Sequence, residues 1–532
     1  MSASRRAVHV AFADLRQRLR SPKYLVIPLL IAWFAQSLTS ETTHLVVAGE
    51  YTGVQNAAWF GGMVATMGTF LLFVFGFTLV QGAVTRERET GVGELVATSP
   101  LSNSTYLVGR WLGYFLLLTL VTVFLVLATV AGYLLHGTGE FHFWALASPF
   151  VFLTLPAVML VAAVAVLTET IRSLQGTLGS VLYFFGAVAV FTLASLGSGT
   201  TFGPTGLAIV RNSMVQAAGA DPTVFENRSF AFTGDPGSVT TFTWTGVEWG
   251  GAELLSRGPT VAVAGLGLIL AVVTFDRFEP TITVRERVQG VFARRDGAQD
   301  TEETATNPPE TDTKSAARPS EVDLRTATPD PGWLPNRRSL TAEIRMALRG
   351  QRWWWYLGML GCIGAGFAAS PGAARGVVLP VAWLLGLSVW AGLGVREQRF
   401  RTTELVFMTP YPLGQLAAVY FGGVIVALVA ASGVLAALAI AGNFTPIGAI
   451  LVGACFIPAL ALASGIWLGT SRVFEVIFLS MWYLGPMNAV YSLDFVAAHP
   501  ETVAQGIPLR IAAVTVALLI AAVVGRKRHL QR

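Results

Sequence analysis

Long apolar runs broken by short polar islands set the rhythm of this chain. Runs long enough to cross about 30 Å of hydrocarbon fall near residues 24–40, 59–80, 111–135, 143–167, 177–197 and 259–275. They return near 353–370, 376–395, 416–441, 447–468, 474–492 and 510–524. The pattern predicts an all-α polytopic membrane protein of twelve transmembrane helices in two sets of six. Ahead of each set, basic residues alternate with apolar ones at helical spacing, as in residues 5–23, which predicts an amphipathic helix lying at the membrane surface.

The two sets are separated by residues 281–335, where Asp296, Asp300, Glu302, Glu303, Glu310 and Asp312 stand among Thr, Ala and Pro. Such a segment has too little apolar surface to bury a core and is expected to be a disordered acidic linker. The expected domains are therefore 1–280, the linker 281–335, and 336–532. Residues 198–258, between the fifth and sixth runs, carry Gly203-Pro204, Asp221-Pro222, Asp235-Pro236-Gly237 and Trp244 to Trp249. That composition suits a small element outside the membrane rather than a tight turn, and its counterpart at 493–509 is much shorter.

Three anchors make the second set a repeat of the first. Arg86-Glu87 through Glu94-Leu95-Val96 to Pro100 recurs as Arg396-Glu397 through Glu404-Leu405-Val406 to Pro410. Ala13-Asp14-Leu15-Arg16 with Leu19-Arg20 recurs as Ala342-Glu343-Ile344-Arg345 with Leu348-Arg349. Thr170, Arg172, Ser180 and Tyr183 recur as Thr470, Arg472, Ser480 and Tyr483. An even number of spans per set makes the repeat parallel, so both copies of each loop share one side.

Charge supplies the orientation. Only 13% of residues are charged against 53% hydrophobic, about half the usual charged share, so the bulk lies in lipid. Of 36 Lys and Arg, all but Arg211, Arg228, Arg257, Arg375 and Arg510 fall in the termini, the linker and the loops after spans two, four, eight and ten. Basic residues accumulate on the cytoplasmic side, which places both islands, both termini and the linker there, in a multi-pass protein of the cell membrane.

Candidate chemistry is sparse. No carboxylate or histidine falls near mid-span, where an ion-coupled carrier would keep one; Glu169, Glu475 and Asp494 lie at span ends and read as interfacial charges. None of the three lysines follows a glycine, so there is no phosphate loop, and the two cysteines suit neither a disulfide framework nor a zinc site. The chain is not expected to be an enzyme or to hold a cofactor. An ion-coupled secondary transporter or channel is the alternative. The island charges remain, and they either meet a cytoplasmic protein or pair with Arg16, Arg20, Arg345 and Arg349 of the surface helices.

Glu87 through Glu94-Leu95-Val96 to Pro100-Leu101-Ser102, then Tyr106 and Gly109-Arg110-Trp111-Leu112-Gly113, is similar to the loop after the second span of type-2 ATP-binding-cassette (ABC) export permeases. The chain resembles such a permease with its two transmembrane halves fused. The resemblance implies that 85–103 and 395–413 form coupling helices, with Arg86, Glu87, Glu94, Leu95 and Pro100 in one and Arg396, Glu397, Glu404, Leu405 and Pro410 in the other. They would seat on two copies of a cytoplasmic ABC ATPase that binds the ATP and Mg, with Arg172 and Arg472 in a smaller second contact. It also implies a cavity between spans two and five of each half, lined by Phe70, Phe73, Phe77, Tyr183, Phe184, Trp383, Trp390, Trp482 and Tyr483 and suited to export of an apolar or amphipathic cargo. Membrane lipid would surround the chain, and no nucleic acid is expected. The second copy departs from the pattern, with Phe400-Arg401-Thr402 where the first has Thr90-Gly91-Val92.

Overall fold

A computed structural model describes residues 3–20, 35–36, 38–39, 44–47, 51–89, 92–99, 101–171, 174–196, 203–219, 231–233, 240–275, 337–399, 402 and 412–530. The first half contains α1 (Ala3–Leu19), β1 (His44–Val47), β2 (Tyr51–Gly53), α2 (Ala57–Val80), α3 (Ala83–Glu89), α4 (Val92–Thr98) and α5 (Asn103–His136). It continues with α6 (Phe143–Thr170), α7 (Thr177–Leu196), α8 (Leu207–Ala217), β3 (Ala231–Thr233), β4 (Thr240–Phe242) and α9 (Gly251–Thr274). The second half contains α10 (Arg337–Arg349), α11 (Trp353–Ala368), α12 (Pro371–Trp390), α13 (Arg396–Arg399), α14 (Pro412–Ile440), α15 (Thr445–Leu468), α16 (Ser471–Trp482) and α17 (Ile507–Leu530).

Eight helices among the described residues, α2, α5, α6, α9, α12, α14, α15 and α17, are long and apolar enough to cross a membrane, and the chain is a helical polytopic membrane protein. The first expected span, 24–40, lies almost wholly outside the described residues, as does the linker 281–335. The other three expected spans coincide with α7, α11 and α16, which have 20, 16 and 12 residues. The last two are shorter than the ~20 residues a crossing takes, though α16 runs on through a π-helical turn at Tyr483–Met487. Similar π turns sit inside α6 at Phe150–Thr154 and inside α12 at Ala374–Val378. Each π turn lies over or within two residues of a proline, Pro149, Pro380 or Pro486, whose missing N–H breaks the regular hydrogen-bond ladder.

The all-α expectation agrees with this helical bundle, to which one small β element is added on the side opposite the islands. There a four-stranded sheet runs in the order β3-β1-β2-β4, with β1 antiparallel to β2 and β3, and β2 parallel to β4. Its strands come from two loops nearly 200 residues apart, and each is only three or four residues long, too short for alternation to register. Trp244 pins the sheet to the bundle. It is 1% exposed, donates from Nε1 to Ser213 Oγ (3.0 Å), accepts on its carbonyl from Asn56 Nδ2 (2.7 Å) and lies edge-on to Trp59. In the second half the corresponding loop is organised by Asp494. This carboxylate is buried and accepts from the backbone N–H groups of Ala498 and His499 (both 3.1 Å) and from Thr502 Oγ1 (2.7 Å).

The halves meet along α7 and α16. Phe184 packs edge-on to Tyr483 and Phe185 to Trp482, and α16 also touches α2. Aromatic faces meeting this way add about 0.5–1.5 kcal/mol per pair beyond the area they bury.

Candidate functional site

The island of the first half folds as two short helices, α3 and α4, between α2 and α5. What fixes α3 is a set of buried charges gathered from four elements. α1 lies along the start of α5 with Ala7, Ala11, Asp14 and Arg18 facing inward, all 6% exposed or less. Those positions repeat at i, i+4, i+7 and i+11, one stripe of a helix. The fit is close because Gly109 faces the stripe: a Cβ there would lie 2.8 Å from Val10 Cβ and 2.9 Å from the Ala7 carbonyl oxygen.

Asp14 is the hub of this contact. Its Oδ2 accepts from Arg18 Nε (2.8 Å) and its Oδ1 from Arg110 Nη1 (2.9 Å). Arg18 goes on to donate from Nη2 to the Val80 carbonyl at the end of α2 (2.8 Å) and lies over the Tyr114 ring. Arg110 also pairs with Glu87 of α3, which accepts a second hydrogen bond from the Tyr106 hydroxyl. Two carboxylates and two guanidiniums therefore cancel in a water-poor site. Breaking a buried pair of this kind from one side costs about 3–5 kcal/mol, because the partner charge is stranded.

Glu169, at the end of α6, holds the other end of α3. Its carboxylate is 3% exposed, and it accepts from the backbone N–H of Gly82, from that of Val84 (2.8 Å) and from the Tyr114 hydroxyl (2.8 Å). These are orphan donors of a helix N-terminus, where a negative charge is favoured. Gly82 has φ +95°, and the Arg472 guanidinium of the second half occupies the space its Cβ would fill. Only glycine meets both demands. Arg472 thereby reaches across the two halves to the base of α3, within electrostatic range of Glu169 and Glu475.

α4 is different in kind. Glu94 is exposed, Val92 is 42% exposed and Leu95 is 72% exposed, so an apolar and acidic face projects from the braced pair of helices. Arg86, on α3, donates to Gln17 of α1 (3.0 Å).

In the second half, Arg396 donates to Glu343 of α10 (3.0 Å) and Glu397 accepts a two-pronged bond from Arg526 near the end of α17. Burial pushes the Glu343 carboxyl above its ordinary range, while the Arg396 guanidinium pulls it back down. The N-terminal helix, both islands and the end of α17 thus share one side of the bundle. Pro100, Arg172, Glu404, Leu405 and Pro410 lie outside the described residues.

Two sequence expectations change here. Arg16, Arg20, Arg345 and Arg349 are exposed, and among the described residues Glu87 and Glu397 pair instead with Arg110 and Arg526. The surface helices contribute acids instead, Asp14 and Glu343, which the repeat places at equivalent positions. The stripe of Ala7, Ala11, Asp14 and Arg18 was the available signal for the first of these, and the glycine pair Gly109 and Gly113 was its complement. The aromatic residues expected to line a cavity are packed. Phe77 stacks on Tyr183 at 4.1 Å, and Tyr183 donates its hydroxyl to the Phe73 carbonyl. Phe70 meets Phe191, Trp383 stacks on Phe495, and Trp390 meets Phe478. The indole N–H groups of Trp383, Trp390 and Trp482 donate to the carbonyls of Ala427, Gly423 and Pro380. Phe184 and Tyr483 meet at the seam between the halves.

No curated protein and no solved structure matches the chain. Residues 25–212 do match one family model, described as ABC-2 family transporter protein. The matched segment is about a third of the chain; it contains α3, α4, Arg110 and Glu169 of the braced island, whereas Asp14 and Arg18 of α1 lie before it, and over that stretch the chain is similar to ABC-2 family transporter proteins.

Proposed function

We propose that this chain is the membrane-spanning subunit of an ABC exporter, with twelve spans in two parallel six-helix repeats and no motor of its own. The island side is the cytoplasmic side, in keeping with the basic residues concentrated there. Separate ATPase subunits supply the ATP chemistry with their bound Mg, and α4 is where one of them docks. The observation that carries this reading is the contrast within the island. Glu87, Gly82 and Val84 of the α3 region are held by buried partners, whereas Val92, Glu94 and Leu95 of α4 face outward. A rigid lever with an apolar, acidic tip suits the transmission of force from a partner.

The second island docks the second ATPase copy through 395–413. Motion of the islands would be passed through Asp14 and Arg110 into α5, and through Arg472 into the second half. The α7–α16 seam, closed by Phe184, Phe185, Trp482 and Tyr483, is the path that opens to an apolar or amphipathic cargo.

The test is to co-express the chain with its cognate ABC ATPase and exchange Glu94→Arg together with Leu95→Asp. Burying one leucine contributes about 1.5–3 kcal/mol, so association should weaken on the order of tenfold to a hundredfold. The variant should insert normally while the ATPase no longer co-purifies and ATP-driven transport is lost. Undiminished co-purification with the double exchange would remove α4 as the docking element.

A further inference from the structure

On the side opposite the islands, the start of α9 carries a buried charge that no acid balances. Arg257 is 6% exposed. Its Nη1 donates to the Gly203 carbonyl (3.0 Å) and its Nε to the Ser256 hydroxyl (3.3 Å), but both acceptors are neutral. Among the described residues no carboxylate pairs with Arg257, and its Nη2 has no hydrogen-bond partner. A buried ion is ordinarily paired, because desolvating it alone is costly.

The surroundings sharpen the imbalance. Residues 203–206 form a turn closed by the Gly206 N–H, which donates to the same Gly203 carbonyl (2.9 Å), and the Arg257 guanidinium occupies the space that a Cβ on Gly206 would fill. Gly206 leads into α8, an eleven-residue helix that no side chain caps. A cation is therefore buried at the positive end of a helix, where the dipole favours an anion. Thr205, in the same turn, is 3% exposed and its hydroxyl has no partner. The buried Trp249 indole N–H has none either; its ring lies on Phe152 (4.8 Å), and the next residue, Leu153, abuts Gly206. Buried polar groups are almost always satisfied, so donors gathered without an acceptor ask for one from outside the chain.

We propose that this corner binds the phosphate of an anionic lipid headgroup in the outer leaflet, held by Arg257 Nη2, the Thr205 hydroxyl and the N–H groups at the start of α8. Guanidinium, hydroxyl and helix N-terminus are the usual ligands of phosphate oxygens, and one negative charge balances the one positive charge present. The apolar flanks select lipid over a soluble anion. Leu254 and Val261, three residues before Arg257 and four after it, share its face of α9, and both are exposed, as is Leu255. Trp144, at the start of α6, is exposed as well, and tryptophan marks the headgroup level of a membrane. A headgroup at that level meets the corner while its acyl chains lie along the apolar face of α9. This inference goes beyond the exporter reading: it needs this end of the bundle to face outward but no docked ATPase, and its test has no ATP readout, so either can fail alone.

The experiment places the full chain in nanodiscs of phosphatidylcholine alone or with phosphatidylglycerol, and reads thermal unfolding together with the lipid retained through detergent exchange, by native mass spectrometry. Phosphatidylglycerol should raise the unfolding temperature of the unaltered chain and be retained. Arg257→Gln should weaken that retention about tenfold or more, as expected for a lost hydrogen bond between charged groups. In phosphatidylcholine alone the same variant should unfold no earlier than the unaltered chain, since it removes an unbalanced charge. Thr205→Val, which keeps the shape of the side chain, should weaken retention severalfold and leave unfolding in phosphatidylcholine unchanged, so the test stands if Arg257→Gln does not fold. Early unfolding of Arg257→Gln by the same margin in both lipids, with retention by Thr205→Val undiminished, would make Arg257 only a clamp on the 203–206 turn and would overturn the site. Absence of any phosphatidylglycerol effect on the unaltered chain would overturn it too. Stabilisation by inorganic phosphate equal to that by phosphatidylglycerol would overturn the lipid as the source of the phosphate.

Discussion

Replacing Glu169 by alanine probes the brace beneath the first island most directly. The carboxylate serves three donors, the backbone N–H groups of Gly82 and Val84 and the Tyr114 hydroxyl, in a place that water does not reach. Each orphaned buried donor costs about 1–3 kcal/mol, and Arg472 loses a compensating charge. The donors are partly relieved by rearrangement, so a destabilisation of about 3–5 kcal/mol is expected, in the range for stripping one partner from a buried ionic site. Glu169→Gln should be milder, about 1–3 kcal/mol, because the amide keeps one acceptor and turns a donor toward one N–H. Hydrogen exchange followed by mass spectrometry is the assay. Peptides covering 82–89 should lose protection in Glu169→Ala, whereas peptides of α11, at the start of the second half, should not. Unchanged exchange at 82–89, or a glutamine variant as damaging as the alanine one, would refute the capping role.

Two further substitutions test the contacts on either side of the membrane. Gly109→Val places a side chain where Val10 and the Ala7 carbonyl already sit, so α1 should detach from α5 and become open to limited proteolysis while the spans stay inserted; continued protection of α1 would show that the close approach is dispensable. On the opposite side, Trp244→Ala removes a fully buried indole and its bond to Ser213. It should cost about 3–5 kcal/mol, seen as a lower unfolding temperature and early exchange of the β1–β4 sheet, and an unchanged sheet would mean that Trp244 is not its anchor.

What the sequence determined by itself follows from short-range patterning. Apolar runs near ~20 residues mark spans whatever their neighbours do, and a motif such as Arg86-Glu87 with Glu94-Leu95-Val96 is legible twice because both copies keep the same order. The surface helix before each half, the islands and the missing phosphate loop are all of this kind. Partner choice is not. The surface-helix arginines Arg16 and Arg20 looked as available to the island acids as Arg110, yet they point to solvent, because the rotation of α1 is set by its small-residue stripe meeting Gly109 on α5. Glu169 and Asp494 read as charges at span ends, and became buried anchors only once other elements delivered backbone N–H groups to them.

The tertiary structure alone decided everything that needs two distant segments at once. A sheet assembled from residues 44–53 and 231–242 and an arginine of one half lodged against a glycine of the other leave no local trace. Periodicity records which face of a segment is buried, but not what buries it, since a charge or a small residue reads the same along the chain whichever partner it meets.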